Sequence, residues 1–367
     1  MAKHENISRE LRGEIAAGKY VVNDQLPSEA QLVARFGVSR PTVARALRDL
    51  QDEGLVERRA GSGTFVRQPE QSVSPGRRVL GLLVPERGTT EIFDAICGEL
   101  GALARMAGLG LLWGGSPLPH VDRDATPEHA LEVCRQFIEK GVAGVFFAPL
   151  ETGPDPEAIN REILERLHQS GIPVVLLDRD IAPFPTRSHC DLVCADNFAA
   201  GFLLAEHLLR LGCRKLRFIA RPGPAPTLEA RISGACEAIR RHHLKVDAEF
   251  VARGDPTEVR FVRRLRAGHS CDGILCGNDF TAAELLKTLS HIKVSVPEKV
   301  RLGGFDDVRY ATLLPIALTT IHQPCREIAE VAFRALQERI TAPTIPPRTL
   351  TIAPRLVVRE SCGAYQR

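Results

Sequence analysis

Over residues 1–67 the apolar positions recur at helical spacing. Ile7, Leu11 and Ile15 stand four apart and predict one face of a helix that Gly18 ends. LPSEAQLVARF opens a second helix, with Ser28 as N-cap, Gln31 at the capping-box position, and Leu32, Val33 and Phe36 on the apolar side. Gly37 breaks that helix and Val38 fills the turn. Ser39 then caps a third helix, RPTVARALRDLQDEG, with Pro41 in the first turn, where a missing N–H costs nothing. Val43, Ala46, Leu47 and Leu50 form its buried stripe, and Gly54 stops it. Two short helices joined by a tight glycine turn predict a helix-turn-helix. LVERRAGSGTFVR follows as two short strands, one begun by Leu55 and Val56, the other formed by Thr64, Phe65 and Val66, with glycines at the tip. A hairpin directly after a recognition helix is a wing.

RQPEQSVSPGRR, residues 67–78, has no apolar period and reads as an extended connector without a helix of its own. From residue 79 the pattern changes to apolar runs of strand length alternating with amphipathic helices. VLGLLVP, LGLLWGG, VAGVFFAPL and IPVVLLDRD form a first series; CDLVCADN, KLRFIA, GILCGND and VRLGGFDD form a second. Near-continuous apolar strands between helices predict parallel sheets covered on both faces, here two α/β units in tandem with a cleft between two similar lobes. Ligands of such sheets sit beyond the carboxyl ends of the strands. Those places hold Asp178 after VVLL, Asn278 after GILCG and Asp306 after LGGF; Arg231 lies on the helix after KLRFIA, with Thr227 one turn earlier. Taken singly, such a carboxylate usually caps a helix and such an arginine is usually solvated. Converging on one cleft, they suit hydroxyl groups, and the arginine fork suits a diol or a carboxylate.

Composition narrows the class. The chain has 367 residues, 44% hydrophobic and 25% charged, as in a globular protein. It contains no apolar run long enough to span a membrane, and MAKHENISRELRGE lacks the apolar stretch of a signal peptide, so a cytoplasmic location is expected. The 10 cysteines are scattered without a C-x-x-C pair and are expected to be buried free thiols. Residues 1–78 carry 13 Lys/Arg and 10 Asp/Glu, so the net +3 of the whole chain lies in this first part. There Ser39, Arg40, Thr42, Arg45 and Arg48 face outward beside Arg58 and Arg59 of the wing, a set of donors for phosphates and guanine edges. The enzyme reading rests only on Asp178, Asp306 and Asp307 as paired carboxylates and His242-His243 as a metal pair. No H-E-x-x-H, phosphate loop or nucleophile elbow accompanies them, so neither an enzyme nor a cofactor or metal is expected.

LPSE, GVSRPTV, LRDLQDEGLV and GSGTFV stand in order and spacing that resemble the winged helix of the gluconate-operon-repressor (GntR) family. The resemblance implies that Ser39, Arg40 and Thr42 reach phosphates and bases in the major groove, and that the wing, Gly61, Ser62, Gly63 and Thr64, lies toward the minor groove. Ser28, Arg45 and Arg48 complete the expected DNA-binding set. Many members place an arginine directly after the apolar residue of the recognition helix; here Ala44 holds that place and Arg45 stands about 100° further round. VLGLLVP, VVLLDR, ADNFAAGFLLAEHLLRLGCRKLRFI, ARISGACEA, CDGILCGND, VRLGGFDD and LTTIHQP resemble the effector domain of the lactose-repressor (LacI) family, itself similar to periplasmic sugar-binding proteins. By that resemblance Asp178, Thr227, Arg231, Asn278, Asp306 and Gln323 fall on inducer-contacting positions. Several members place an aromatic residue where GDPT has Pro256; Phe93, Phe280 or Tyr310 could supply a ring instead. The expected organisation is multidomain: a winged helix-turn-helix (residues 1–68), a linker (69–78) and a two-lobed periplasmic-binding-protein-like domain (79–362). The implied function is a ligand-responsive repressor of sugar-metabolism genes. It would bind palindromic double-stranded operator DNA as a homodimer, with a sugar as effector; a nucleoside or another polar metabolite is the alternative. A transport binding protein would share the sensor fold but not the winged helix.

Overall fold

The structure, a computed structural model, describes residues 3–16, 19–20, 23–52, 55–59, 63–66, 79–84, 91–114, 127–151, 155–183, 185–223, 226–267 and 271–365. Gly18, Gly54, Gly61, Ser62 and the connector 67–78 lie outside them. The chain divides into two compact units, Met1–Arg77 and Arg78–Arg367.

The first unit packs α1 (Lys3–Ala16), α2 (Glu29–Phe36) and α3 (Arg40–Asp52) with an antiparallel pair, β1 (Val56–Arg59) and β2 (Gly63–Val66). The stripe expected from the sequence forms its core: Leu11, Leu32, Val43, Ala46, Leu47 and Leu50 are essentially inaccessible to solvent. The capping box is present in both directions. Ser28 Oγ accepts from Gln31 N–H at 3.3 Å and Gln31 Oε1 accepts from Ser28 N–H at 2.8 Å. Gly37 closes α2 in the left-handed region, φ 60°. Residues 23–26 run beside β2 as an additional edge, Leu26 N–H donating to Thr64 O and Val66 N–H to Asp24 O, both at 2.8 Å.

The second unit holds two six-stranded sheets. The first lobe orders its strands β13 (Thr349–Ile352), β7 (Asp191–Ala195), β6 (Val174–Leu177), β5 (Val145–Phe147), β3 (Val79–Leu83) and β4 (Gly110–Trp113), all parallel. Its cores are built with α4 (Glu91–Met106) and α11 (Cys325–Thr341) on one face, and with α5 (Pro127–Lys140) and α6 (Pro156–Gln169) on the other. The second lobe orders β14 (Arg355–Val357), β12 (Thr319–His322), β11 (Arg301–Asp306), β10 (Gly273–Cys276), β8 (Leu216–Ala220) and β9 (Val251–Arg253); only β14 is antiparallel. It is covered by α7 (Asn197–Arg210) and α8 (Pro226–Arg241) on one face, and by α9 (Val259–Ala267) and α10 (Asp279–His291) on the other.

The multidomain class expected from the sequence is therefore present, but the tandem arrangement is corrected. CDLVCADN does not begin the second lobe; as β7 it pairs between β6 and β13 in the first. The chain then crosses between lobes three times: after β7 into α7, after β12 into α11, and from β13 into β14. A buried carboxylate fixes the return. Asp191 on β7 accepts from Arg339 Nη2 of α11 at 2.7 Å, from Arg348 N–H at 2.8 Å and from Arg348 Nη2 at 3.0 Å. Burial pushes this carboxyl up, and the Arg348 and Arg339 bonds override it and hold it below the usual range. All 10 cysteines are free, and each is buried or half-buried.

The closest helix packing joins α7 to α8. A Cβ at Gly201 would overlap the carbonyl of Arg231, and one at Gly234 would overlap the carbonyl of Phe198, so backbones meet with no side chain between them. Gly98, by contrast, lies within α4 with open space around its Cβ position. Gly201→Ala should therefore destabilise the second unit by roughly 1–3 kcal/mol despite alanine's better helix propensity. Gly98→Ala should be neutral or stabilising by about 0.5–1 kcal/mol. Urea unfolding of both variants checks this; a stable Gly201→Ala would mean that the helix pair is not in contact.

Candidate functional site

In the first unit, the outward face of α3 lies opposite its buried stripe and carries Arg45 and Arg48. Both are exposed, and neither pairs with a carboxylate among the described residues. Arg40, 79% exposed, donates from Nε to Glu29 Oε2 at 3.1 Å, and the other oxygen of Glu29 pairs with Arg58 of β1. One carboxylate thus ties the first arginine of the recognition helix to the wing strand. Sequence reading missed Glu29, although it sits within LPSE. Ser39 Oγ lies 2.9 Å from the half-buried Thr42 hydroxyl, so these two groups orient each other. Two expected contact residues are engaged otherwise, Ser28 at the exposed surface and Thr64 in the core. Ser28 uses its hydroxyl in the cap, and Thr64 is buried, its alternate position on β2 turning the side chain toward the core. Gly63 holds φ 119°, a left-handed backbone suited to glycine at a hairpin shoulder.

In the second unit, the carboxyl edges of the two sheets supply the other cluster. Asp178 follows β6 at φ 69° and is 8% exposed. Asp306 ends β11 at φ 114° and is 6% exposed. Arg231, placed on α8 by the glycine contact with α7, is 7% exposed. Its Nε donates to Asn197 Oδ1 at 2.8 Å and its Nη1 to the Gly277 carbonyl at 2.8 Å. Its Nη2 stands 3.7 Å from Asp306 Oδ1, and the guanidinium lies over the Phe305 ring at 4.8 Å. Gln323, in the second crossing, donates to Asp306 Oδ1 at 3.1 Å. Asp178 of the first lobe is within electrostatic reach of both Arg231 and Asp306 of the second. Four of the six expected residues, Asp178, Arg231, Asp306 and Gln323, are thus brought together.

The other two flank the cluster in the chain, Asn278 directly after the Gly277 that bonds Arg231 and Thr227 one turn before Arg231 on α8. Asn278 caps α10, its side-chain oxygen accepting from Thr281 N–H at 2.9 Å, and Thr227 is half-buried at the start of α8. The structure adds groups that sequence reading passed over. Arg179 donates to Asp178 at 3.2 Å, pairs with Glu151 and lies 5.8 Å over Phe93. Asp279 is wholly buried and accepts from Thr320 Oγ1 at 2.6 Å and Val308 N–H at 3.1 Å, fixing the segment that follows Asp306. Asn197 and Arg179 share one signal, since each follows closely on the carboxyl end of a strand. Near the mouth, Glu91 of the first lobe accepts from Arg309 N–H of the second at 3.1 Å.

Burial dominates the electrostatics. It pushes the Asp178 carboxyl up to about 6, with Arg231 drawing it down and Asp306 pushing it further up. Asp306 is raised for the same first reason, and Arg231 and Gln323 oppose the rise. Asp279 is raised well above the usual range by burial and by Asp306. Such groups favour a ligand that donates hydrogen bonds. Among the described residues no group of three or more His, Cys, Asp or Glu could hold a metal, and no helix is long and apolar enough to cross a membrane.

Comparison with known proteins gives the same two parts. Residues 3–66 match the family model of bacterial regulatory proteins of the gntR family, and residues 205–362 match that of a periplasmic binding protein-like domain. The chain is similar to the arabinose metabolism transcriptional repressor of Geobacillus stearothermophilus, 26% identical over 98% of each chain. Among solved structures it resembles the complex of the transcriptional regulator CelR with cellobiose, at TM-score 0.66 and 21% identity over 88% of this chain and 91% of that one. It also resembles a ribose-bound LacI family regulator from Enterococcus faecium, at TM-score 0.61 and 22% identity over 77% and 98% respectively. At these identities the two structures speak for the fold.

The raised Asp178 gives a signed pH dependence. Its carboxyl, at 3.8 when exposed and about 6 when folded, is protonated more readily in the native state, so the stability of the ligand-free protein falls as pH rises from about 4 to 6. Asp178→Asn removes that loss. The variant's advantage over wild type should grow across this window to at most about 3 kcal/mol and stay level above it. Urea unfolding between pH 4.5 and 7.5 reads the difference; parallel profiles for the two proteins would sink the assignment.

Proposed function

From a chain that joins a GntR-type winged helix to a periplasmic-binding-protein-like domain, and so belongs among the regulators of transcription, we propose a repressor whose hold on operator DNA is set by a sugar in the cleft of its second unit. The observation that carries the ligand half is the meeting of Asp178 from one lobe with Arg231 and Asp306 from the other. A molecule bonded to both sides stabilises one lobe arrangement over another, and only such a difference can alter DNA affinity. A sugar is favoured because the raised carboxylates accept from hydroxyls. The similar solved regulators hold ribose and cellobiose, and the similar repressor governs arabinose metabolism. On the DNA side, Arg40, Arg45, Arg48 and Arg58 form the cationic face, with Ser39 and Thr42 at its edge. We further infer a homodimer on a palindromic operator, the symmetry that two copies of one reading head require.

Two substitutions separate the halves. Arg40→Ala should weaken operator binding by roughly 1–3 kcal/mol and leave sugar binding unchanged. Arg231→Ala and Asp306→Ala should keep wild-type operator affinity without sugar and lose the response to it, since each removes a partner from buried polar groups at a cost of about 1–3 kcal/mol or more. Operator titrations and thermal melts, each with and without arabinose, ribose and cellobiose, supply the readouts. A well-folded Arg231→Ala that retains full sugar stabilisation would remove that residue from the site, and a full-affinity Arg40→Ala would displace the reading face.

A further inference from the structure

The corner that presents Asp306 is not one its own backbone favours. Asp306 stands at φ 114° and Asp307 at φ 56°, two successive residues in the left-handed region, and neither is glycine. Aspartate is tolerated near the value at Asp307, but the value at Asp306 belongs to glycine, so groups outside the corner have to hold it. Gln323 Nε2 donates to Asp306 Oδ1 at 3.1 Å, and Asp307 pairs with His322 at 2.8 Å and Arg359 at 2.6 Å. Those bonds hold the two side chains. The backbone is held from another side.

That hold comes from Asp279, the first residue of α10 and wholly buried. Its Oδ2 accepts from Val308 N–H at 3.1 Å, and its Oδ1 accepts from Thr320 Oγ1 at 2.6 Å. Thr320 Oγ1 in turn accepts from Asp307 N–H at 3.4 Å. Two successive N–H groups of the corner thus converge on one carboxyl, one directly and one through a hydroxyl, as backbone N–H groups do in a nest around an anion. Room for that carboxyl is built into the sheet. Thr320 of β12 sits opposite Gly304 of β11, and a Cβ at Gly304 would overlap Asp279 Oδ1. Asn278 anchors the other end by capping α10, so the carboxyl is carried on a fixed helix start.

We propose that Asp279 is the positioning residue of the cleft: it holds the Asp306–Val308 corner in its left-handed form and so sets where the Asp306 carboxyl stands for a ligand. The inference rests on the sugar reading above for the identity of that ligand. Arg231 Nη2 is already 3.7 Å from Asp306 Oδ1, so a small turn of the corner parts the two groups. Asp279 touches the corner from below and acts on the ligand only through Asp306.

The test uses the full chain. Asp279→Ala removes both holds, whereas Asp279→Asn keeps the shape, its amide oxygen accepting from Val308 N–H and its Nδ2 donating to Thr320 Oγ1. Hydrogen exchange is followed at the Asp307 and Val308 amides, and calorimetry measures binding of arabinose, ribose and cellobiose. In Asp279→Ala those two amides should exchange at least about tenfold faster while β8 and β10 keep wild-type protection, and a sugar that binds wild type should bind at least about tenfold more weakly. Asp279→Asn should restore both. A merely structural Asp279 predicts loss of protection spread evenly over the second lobe, with the folded protein's sugar affinity unchanged; that result overturns the proposal, as does wild-type exchange at Val308 in Asp279→Ala. If Asp279→Ala does not fold, Thr320→Val decides. It cuts only the hold on Asp307, whose amide should exchange faster while sugar binding weakens about two- to fivefold; unchanged exchange or unchanged affinity overturns the proposal. If none of the three sugars binds wild type, the sugar reading fails, and exchange at Asp307 and Val308 alone decides whether Asp279 holds the corner.

Discussion

The sensing unit is organised round one buried cation. Taking a guanidinium out of water costs several kcal/mol unless its donors are met, and Arg231 meets that cost by reaching into three separate parts of the second lobe. Asn197 opens α7, Gly277 follows β10, and Asp306 ends β11. The same group lies flat on Phe305. None of these partners can be reached unless α8 lies against α7 with nothing between the backbones, and Gly201 and Gly234 make that approach possible. Two glycines therefore set the helix spacing, the spacing sets the arginine, and the arginine sets the floor of the cleft.

That floor borders the places where the chain changes lobes. Asn197 stands just past the first crossing and Gln323 within the second, and both bond to groups of the Arg231–Asp306 cluster. Pro354, in the third, lines the same small crevice as Asn197, Arg231 and Gln323. Polar groups of the proposed ligand site and the backbone segments that join the lobes are thus neighbours. A shift in one is felt by the other without any long relay, which is the physical requirement for a ligand to alter the balance between lobe arrangements.

Local order was legible in the sequence, and long-range pairing was not. The capping box of Ser28 and Gln31, the stripe from Val43 to Leu50 and the apolar strands follow from spacing alone, because each depends on neighbours a few residues away. The sheet that β7 joins depends on Asp191 meeting Arg339 and Arg348 about 150 residues later, so alternation of strands and helices placed it in the wrong lobe. Helix α11 and strands β13 and β14 were not anticipated for the same reason. Asp178, Arg231, Asp306 and Gln323 were legible because strand ends and family phrases marked them. Thr227 and Asn278 carried the same marks, yet Asn278 spends its oxygen on capping α10. Glu29 was overlooked because its partners, Arg40 and Arg58, lie on other elements.

Glu29 and Asp306 do comparable work in the two units, and the difference between them separates how each unit responds to its surroundings. Each carboxylate holds an arginine that another element presents. Glu29 is partly open to solvent, and its arginines lie on a face suited to phosphates, so in the proposed complex DNA and the carboxylate would compete for the same donors. Exchange of that kind releases counterions and weakens steeply as salt rises. Asp306 and Arg231 are buried together, where the proposed hydroxyl-bearing ligand would add to their bonds without displacing either. Buried pairs are screened far less. On the proposed function, one chain would therefore carry a DNA contact that yields readily to ionic conditions and a ligand contact that does not, so that the ligand signal would keep its strength while the grip on DNA stayed easy to release.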